Sequence, residues 1–481
     1  MSLLRSSAAR LSLPVTVALV FALAVVFQEK ITVGHGLGWD GVRYAKWAKN
    51  FGPVLRKGVD AYYAQRLLPS AVAYGSLVLF GVKTKAPMII RAFEIWSVVL
   101  VALSAWSYDV AARSLRVSTQ TRWLGAIGLF GSFAILKFAA FDPVLTDVWG
   151  FAFGMFQLQF CLTRRHLPLA LISVLGAFAW PTLLPVGACL LFFPAVAEPC
   201  EPAPVRMPWH VHDLLAAALV GVWIWLCWPM ARDGHTLRNS TGDIDLRFVR
   251  LSVAVSAAYL FAGARELLAD RRLLEPRMYL RAAWSLPGAL AVATFVGAVA
   301  LRSKVTSAAA LYGLHETIEM TVFSAIKEPG IFALAHVLYW GPLVLLMFLG
   351  WRRVVGAIHR AGPGVTGVAL VGLVLALNGE SRKLVSFAPL FYVFLLPALD
   401  QLAISARQAW FLALASLLFS RVWITFDGNM VGDLQQMPAQ MLYMVMGPWI
   451  TPEMYLLQLL IVLVLAVYLA NALFRSDRGH F

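Results

Sequence analysis

The sequence predicts an all-α polytopic membrane protein. Of its 481 residues, 60% are hydrophobic and 14% are charged, whereas soluble domains are about 45–50% apolar and about 25% charged. Apolar runs of up to about 20 residues recur along the chain, and that is the length an α-helix needs to cross a bilayer core about 30 Å thick. The formal net charge of +15 favours contact with anionic lipid head groups or phosphate-bearing substrates. Nucleic acid is a weaker expectation, because little of the chain is soluble.

The apolar runs predict about 14 spans, with both termini on one side. The first run, 11–27, follows Arg5 and Arg10 and resembles a signal peptide. No small-x-small cleavage site precedes Gln28, so we interpret this run as an anchor. The other candidate spans are 87–110, 123–139, 148–162, 167–180, 181–197, 213–230, 249–262, 283–301, 331–350, 363–378, 384–400, 408–422 and 453–474.

The apolar stretch 67–82 fixes the predicted topology. If it crossed the bilayer, the next arginine-rich connection would lie outside, against the tendency of short basic loops to remain cytoplasmic. We therefore place 67–82 on the outer membrane surface, which puts both termini in the cytoplasm. The Arg- and Ala-rich composition is compatible with a multi-pass protein of a cell inner (plasma) membrane. The basic residues that this topology places inside are Arg113, Arg116, Arg122, Arg164, Arg165, Arg265, Arg271, Arg272, Arg277, Arg281, Arg352, Arg353, Arg360, Arg475 and Arg478.

The first outer connection, 28–87, is long and basic. Its Trp and Tyr residues suit the water–lipid boundary and predict two surface helices, at 39–51 and 62–82. All ten lysines of the chain fall at or near this outer side. Long loops translocate largely regardless of charge, but the bias still calls for an explanation. A phosphate ligand on this face is one.

Three aspartates on the predicted outer side are candidate functional groups. A carboxylate beside a bilayer raises the free energy of the protein unless it has a cationic partner or contacts water. Asp40 stands among glycines in GLGWDGVRY, and glycine lets the backbone approach a ligand closely. Asp142 and Asp147 stand in FDPVLTD, a tight loop between two apolar runs. A structural interpretation is equally open: Asp40 and Asp147 would be N-caps of the helices that follow them.

The candidate cations and their neighbours come from two places in the sequence. Arg66 stands at the joint between the outer loop and a surface helix, and taken alone it fits a side chain that snorkels to lipid head groups. Glu380, Arg382 and Lys383 stand between two late spans in NGESRKLV. There the two cations could clamp a phosphate, Arg382 with its fork and Lys383 as a point charge.

Other polar residues have structural interpretations. Lys137 and Arg421 lie near predicted outer ends of spans and fit snorkelling side chains. Arg91 and Glu94 have the spacing of a helical ion pair. The four cysteines form no CxxC pair, and we expect no metal or redox role for them.

The order of these features resembles the GT-C superfamily of integral-membrane glycosyltransferases, in the polyprenyl-phosphate-sugar branch that includes protein O-mannosyltransferases and the lipid A aminoarabinose transferase. The resemblance is good over roughly the first 200 residues and loose beyond them. It divides the chain into a GT-C-like module at 1–200 and a variable transmembrane module at 201–481 that completes the cavity. The matching positions are Asp40 in WDGVRY, Arg66 to Pro69 in RLLP, Arg113 to Arg122, Asp142 and Asp147 in FDPVLTD, and ESRKLVSFAPLFYVF.

The resemblance implies transfer of a sugar from a polyprenyl-phosphate donor to a lipid, glycan or protein acceptor on the extracytoplasmic face. Asp40 would be the general base and Asp147 would orient the sugar or acceptor. Asp142, Arg66, Glu380, Arg382 and Lys383 would bind substrate. The family often has two adjacent acidic residues in the first loop, whereas Asp40 is followed by Gly41. A divalent metal held by paired carboxylates is therefore less expected, although Asp142 or Asp147 could approach Asp40 in space. No other cofactor is expected.

Two other classes stay open at the level of sequence. A transporter or flippase of a lipid-linked envelope precursor would commonly have paired halves and ionisable groups near the membrane midplane. The sequence shows no internal repeat, and its charges cluster at the outer rim, so transport is the second interpretation. A non-catalytic subunit of an envelope assembly is the third.

Overall fold

The described part of the chain is helical, as the sequence predicts. The computed structural model describes residues 2–195, 208–234, 244–307, 314–402, 404–426, 450 and 452–474. These residues form α-helices with short 3-10 and π segments, and they contain no β-sheet. The helices of the first half are α1 (Ser2–Phe27), α2 (Val33–Gly36), α3 (Gly41–Lys49), α4 (Phe51–Lys57), α5 (Ala61–Ala64), α6 (Leu67–Leu79), α7 (Ala86–Ser114), α8 (Thr119–Phe130), a π segment (Phe133–Phe138), α9 (Ala139–Phe141), α10 (Asp147–Leu162), α11 (His166–Gly176) and α12 (Leu183–Phe192).

The second half continues the helical pattern and brings two 3-10 segments, each close to arginine-rich sequence. The second of them, Ser381–Leu384, carries two of the candidate cations. The elements are α13 (Trp209–Asp233), α14 (Val249–Leu267), a 3-10 segment (Arg271–Leu274), α15 (Pro276–Ala283), α16 (Leu286–Val305), α17 (Leu314–Ile326), α18 (Ile331–Trp340), α19 (Leu343–Leu349), α20 (Trp351–Ala361), α21 (Pro363–Leu375), the 3-10 segment Ser381–Leu384, α22 (Ala388–Gln401), α23 (Ala406–Ser420) and α24 (Pro452–Phe474).

Membrane-spanning helices are present. Among the described residues, α7, α13, α16 and α24 are each long and apolar enough to cross a bilayer. Two bent pairs raise this number to six: α8 with the segment after it, bent by 49°, and α17 with α18, bent by 95°. The membrane class predicted from composition is thereby confirmed. The total of about 14 spans remains a prediction.

The first outer connection differs from the two surface helices predicted for it. The stretch predicted as two helices forms four short ones, α3 to α6, because the backbone leaves the helical region at three points, and the short helix α2 precedes them. Asn50 has φ −137° and ψ 53°, Gly58 has φ 73°, and Arg66 has φ −133° and ψ 20°. The last helix, α6, has 13 residues. It is about 20 Å long, which is shorter than a hydrocarbon core of about 30 Å.

Helix α7 forms the scaffold for the site. It packs between α1 and α10 and carries ionic contacts near both ends. Near its N-terminus, Glu94 accepts from Arg91 at 2.8 Å, the predicted helical ion pair, and also lies 3.2 Å from Lys30. Toward its other end, Asp109 binds Arg113 and Arg122 at 2.6 Å each. The two charged groups are about 20 Å apart along the helix, and the candidate site lies at the Glu94 end.

Helix α10 packs closely against the segment that follows the late 3-10 helix. A Cβ placed on Gly154 would lie 2.4 Å from the Ser386 carbonyl oxygen, and one on Gly150 would lie 2.8 Å from Val385. The absence of side chains at these glycines lets the two backbones meet. As a result, the start of α10, with Asp147, lies beside the segment that carries Arg382.

Candidate functional site

The backbone before Asp40 packs against the loop that carries Asp142. The Ile31 amide donates to the Phe141 carbonyl at 3.0 Å, and Lys30 Nζ donates to the Ala140 carbonyl at 2.7 Å. Gly38 has φ +71°, and a Cβ there would lie 2.7 Å from Asp142 Oδ2. A residue with a side chain would be strained in this backbone and would collide with the carboxyl group. The glycines before Asp40 therefore allow two outer loops to touch.

Arg382 lies at the centre of the acidic residues. Its Nη2 is 3.6 Å from Asp40 Oδ2, and its Nε is 3.5 Å from Asp147 Oδ1 and 3.4 Å from Glu380 Oε1. Lys383 lies 3.2 Å from the other oxygen of Glu380. Although burial opposes its ionisation, Lys383 and Arg382 hold the pKa of Glu380 below its ordinary value. The fold thus brings together residues from the segment between α1 and α3, the loop before α10 and the late 3-10 segment.

The carboxylates differ in their access to solvent. The Asp40 side chain is 34% exposed, whereas those of Asp147 and Glu380 are 10% and 11% exposed. Asp142 is also buried, and burial raises the pKa of this carboxyl to about 8 against the opposing charge of Arg382. At neutral pH, Asp142 is therefore mostly a neutral acid, and Asp40 is the most accessible of the four.

A small pocket lies below Asp142 and Asp147. It is bounded mainly by apolar and aromatic side chains of the π segment, α10 and α18, including Phe138, Tyr339 and Trp340. Asp142 Oδ1 and both carboxylate oxygens of Asp147 are buried without a hydrogen-bond partner among the described residues. Buried oxygens of this kind usually have partners. A ligand that donates hydrogen bonds would supply them.

Arg66 lies between two aromatic rings. Its guanidinium carbon is 4.0 Å from the centre of the Tyr62 ring and 5.0 Å from that of Trp180. The side chain is 6% exposed, and its Nε and Nη1 have no hydrogen-bond partner within the described chain. Arg66 is therefore a buried residue at the site, and the snorkelling interpretation that fits a lone arginine does not describe it.

The capping interpretation of the aspartates is not supported by the side-chain contacts. Asp40 occupies the N-cap position of α3, and Asp147 is the first residue of α10 after the N-cap Thr146. Neither the Asp40 nor the Thr146 side chain makes a capping hydrogen bond. The carboxylates of Asp40 and Asp147 instead face Arg382.

Two snorkelling predictions are wrong. Lys137 is fully buried, pairs with Glu29 and donates to the Ile424 carbonyl at 2.8 Å. Arg421 is 3% exposed, donates to the Leu338 carbonyl at 2.9 Å and lies over the Phe133 ring. Lys137 lies in the π segment that follows the 49° bend after α8, and Arg421 ends α23 with a left-handed backbone, φ 58°. A count of residues along a straight span shows neither feature.

Three aromatic residues of the site were missed by sequence reasoning. Tyr62 was assigned to the lipid boundary, while Trp180 and Tyr339 lie within apolar runs and carry no distinguishing pattern. Trp180 and Tyr339 reach the site from helices distant in the chain, so no sequence spacing could have found them. Tyr62 stands only four residues before Arg66, and that spacing could have indicated its contact. No cluster of three or more His, Cys, Asp or Glu residues with the arrangement of a metal site occurs among the described residues.

Comparisons with known proteins give a limited result. No protein-family model matches the sequence, and no curated protein does. The archaeal oligosaccharyltransferase AglB from Archaeoglobus fulgidus, in complex with an inhibitory peptide and a dolichol-phosphate, aligns with 87% of this chain at a TM-score of 0.45 and 14% identity. An Archaeoglobus fulgidus oligosaccharyltransferase tethered to an acceptor peptide aligns with 87% at a TM-score of 0.39 and 15% identity.

The chain spans about half the length of these two structures, 55% and 54%.

Proposed function

We propose that this protein is a membrane glycosyltransferase that transfers a sugar from a polyprenyl-phosphate donor to an acceptor on the extracytoplasmic face. The observation that carries the proposal is the convergence of Asp40, Asp147, Glu380 and Arg382, with Lys383 next to Glu380. It joins the acidic and cationic groups that the reaction requires, at one end of the helices. The motif resemblance stated above supports the same chemistry.

Asp40 acts as the general base. Its carboxylate is the most exposed of the acidic groups around Arg382, so an acceptor hydroxyl can reach it. The acceptor oxygen attacks the anomeric carbon and gives its proton to Asp40 as the new carbon–oxygen bond forms. The bond from the anomeric carbon to the phosphate oxygen breaks at the same time, and the phosphate leaves with the electron pair. A single displacement of this kind inverts the anomeric centre.

Arg382, Lys383 and Arg66 stabilise the departing phosphate. Negative charge gathers on the leaving oxygen in the transition state, and fixed cations in a site with little water stabilise it strongly. Arg66 has two guanidinium nitrogens without a partner among the described residues. Three carboxylate neighbours hold Arg382 in place. Its guanidinium group therefore needs little reorganisation when the charge on the phosphate develops.

Asp142 and Asp147 orient the sugar or the acceptor beside Tyr339. Their unpartnered oxygens accept hydrogen bonds from hydroxyl or amino groups. The pocket has room for about one water molecule, so a single hydroxyl or amino group of a substrate enters it and the sugar ring stays outside. A phosphate would be repelled by Asp147, so the group that these carboxylates bind is neutral or cationic. This division places the phosphate toward Arg66 and Lys383 and the reacting hydroxyl toward Asp40.

Purified protein incubated with a radiolabelled polyprenyl-phosphate sugar and a membrane extract tests the proposal. An enzyme forms a labelled glycosylated product, and the anomeric configuration of that product is inverted relative to the donor. A flippase would move the labelled lipid between leaflets of proteoliposomes without forming a product. Transport without product formation would overturn the proposal.

A further inference from the structure

A second group of cations covers the outside of helices α3 and α4. Arg43, Lys46 and Lys49 are exposed on α3, while Tyr44, Trp47 and Ala48 of the same helix are buried. Arg56 and Lys57 are exposed at the end of α4. The sequence has no acidic residue from position 41 to 59. The helices therefore bury one side against the protein and present a cationic side.

The fold adds two more cations from a distant segment. The Val59 amide donates to the Val305 carbonyl at 2.8 Å, and the Ser307 amide donates to the Val59 carbonyl at 2.7 Å. This pairing brings the end of α16, with Arg302 and Lys304, next to the end of α4. We call the whole group the basic face. Its members are Arg43, Lys46, Lys49, Arg56, Lys57, Arg302 and Lys304.

The basic face lacks internal charge compensation. None of its seven cations forms an ion pair within the described chain, and Arg43 lies over the Tyr63 ring at 4.6 Å. Three of the arginines that the predicted topology places inside do form ion pairs: Arg113 with Asp109, Arg265 with Asp213 and Arg352 with Glu266. Repulsion among neighbouring like charges is relieved when an anion binds among them.

We propose that the basic face binds the phosphate-bearing head groups of anionic phospholipids. Charge complementarity supports this occupant, and so do the exposed apolar side chains of Trp39, Val42 and Leu55, which lie among the cations along the chain. Apolar and basic residues mixed on surface helices suit the boundary between head groups and acyl chains. The proposal does not depend on the glycosyltransferase reaction.

A lipid bound here would stand close to the candidate site. Asp40 precedes α3 directly, and Arg43 is three residues further along the same helix. The basic face also accounts for four of the ten lysines that the sequence places at or near the outer side against the usual bias. Retention of anionic lipid beside the site would orient the short outer helices on the membrane.

Photoactivatable lipids test the proposal on the whole protein in phosphatidylcholine nanodiscs. A phosphatidylglycerol probe should label the peptides at 41–57 and 302–307 more strongly than a phosphatidylcholine probe does. Replacing Lys46, Lys49, Arg56 and Lys57 by Gln should reduce the labelling by phosphatidylglycerol about tenfold, because each basic residue near an anionic surface contributes to attraction. The matched control changes Arg277 and Arg281 to Gln on α15, and it should leave this labelling unchanged.

A second measurement keeps the test independent of folding of the variants. In the unchanged protein, added salt should weaken labelling of the basic face by phosphatidylglycerol and leave labelling by phosphatidylcholine constant. Equal labelling by the two probes, or a signal that neither salt nor the four substitutions reduce, would overturn the proposal.

Discussion

The guanidinium of Arg382 lies 3.6 Å from the carboxylate of Asp40. Asp40 precedes α3, near the start of the chain, and Arg382 lies in the 3-10 segment between α21 and α22. The contact therefore joins the segment that follows α1 to a late connection between two apolar helices. It keeps a partly exposed carboxylate beside a fixed cation, which is the arrangement that a base next to a phosphate site needs.

Replacement of Asp40 by Asn tests the base. The amide keeps the shape but cannot take the proton, so turnover should fall by about 10²- to 10⁴-fold. The yield and the Tm should stay near those of the unchanged protein, because the side chain makes no capping hydrogen bond. Asp233→Asn, at an exposed surface ion pair, is the control. Near-normal turnover of Asp40→Asn would remove Asp40 from the role.

Replacement of Arg66 by Lys tests the role of the two aromatic rings on either side of the guanidinium group. Lysine keeps the charge but loses the planar group that stacks between Tyr62 and Trp180, and it has no fork for phosphate oxygens. We expect a loss of about tenfold or more in kcat/KM for the polyprenyl-phosphate donor. Arg56→Lys on α4 is the matched control. If Arg66→Lys retains full efficiency, a bare positive charge suffices at this position.

The raised pKa of Asp142 predicts that the stability of the protein depends on pH. Burial raises this pKa to about 8 from an ordinary value of 3.8. Between these values the folded protein holds a proton that the unfolded chain has lost, so this contribution to stability is present at low pH and is lost as the pH rises toward 8. The slope is at most about 1.4 kcal/mol per pH unit.

The Asn variant of Asp142 isolates this effect, because an amide cannot ionise. Thermal unfolding in detergent between pH 5 and about 8 should show a difference in Tm that grows with pH in favour of Asp142→Asn. Parallel Tm curves for the two proteins would show that Asp142 titrates normally.

Lys137 and Glu29 form an ion pair that we expect to stabilise the fold. The ammonium group is fully buried and pairs with Glu29, whose side chain is 23% exposed. Lys137→Met should destabilise the protein by about 3 kcal/mol, because it leaves a carboxylate without its partner. The double variant with Glu29→Gln should lose less than the two single variants together. Strict additivity of the Tm changes would argue against a coupled pair.

Replacement of Gly154 by Ala tests whether the site requires close packing at this glycine. A Cβ there would lie 2.4 Å from the Ser386 carbonyl, so Gly154→Ala should cost about 1–3 kcal/mol and shift the segment that carries Arg382. Gly221→Ala on α13 is the matched control, because a Cβ at Gly221 meets no atom within 4 Å. That change should be neutral or stabilising by up to about 1 kcal/mol. Equal effects of the two changes on Tm and turnover would exclude the steric explanation.

The class of the protein could be predicted from local sequence. Apolar runs long enough to span a bilayer and a low charge content dictate helices, because a backbone in hydrocarbon must satisfy its own hydrogen bonds. The ion pair of Arg91 and Glu94 could also be predicted, since residues three apart on a helix are neighbours. These features depend on contacts within one helix or on composition.

Helix breaks and buried cations could not be predicted in the same way. Arg66 and Lys137 look like surface residues in sequence, and both are buried by helices distant along the chain. The cost of burying a cation is offset by partners such as the Trp180 ring or the Glu29 carboxylate, and no periodicity reveals those distant partners. The aromatic neighbours Trp180 and Tyr339 were missed for the same reason.

The sequence by itself determined an all-α membrane protein with a surplus of cations and a few acidic residues at predicted helix ends. The tertiary structure alone decided that Asp40, Asp147 and Glu380 surround Arg382, and that Arg302 and Lys304 join the cations of α3 and α4. The physical reason is the range of the interactions. Helix formation and membrane partition act between near neighbours in the chain, whereas the charge contacts at the site depend on how distant helices pack.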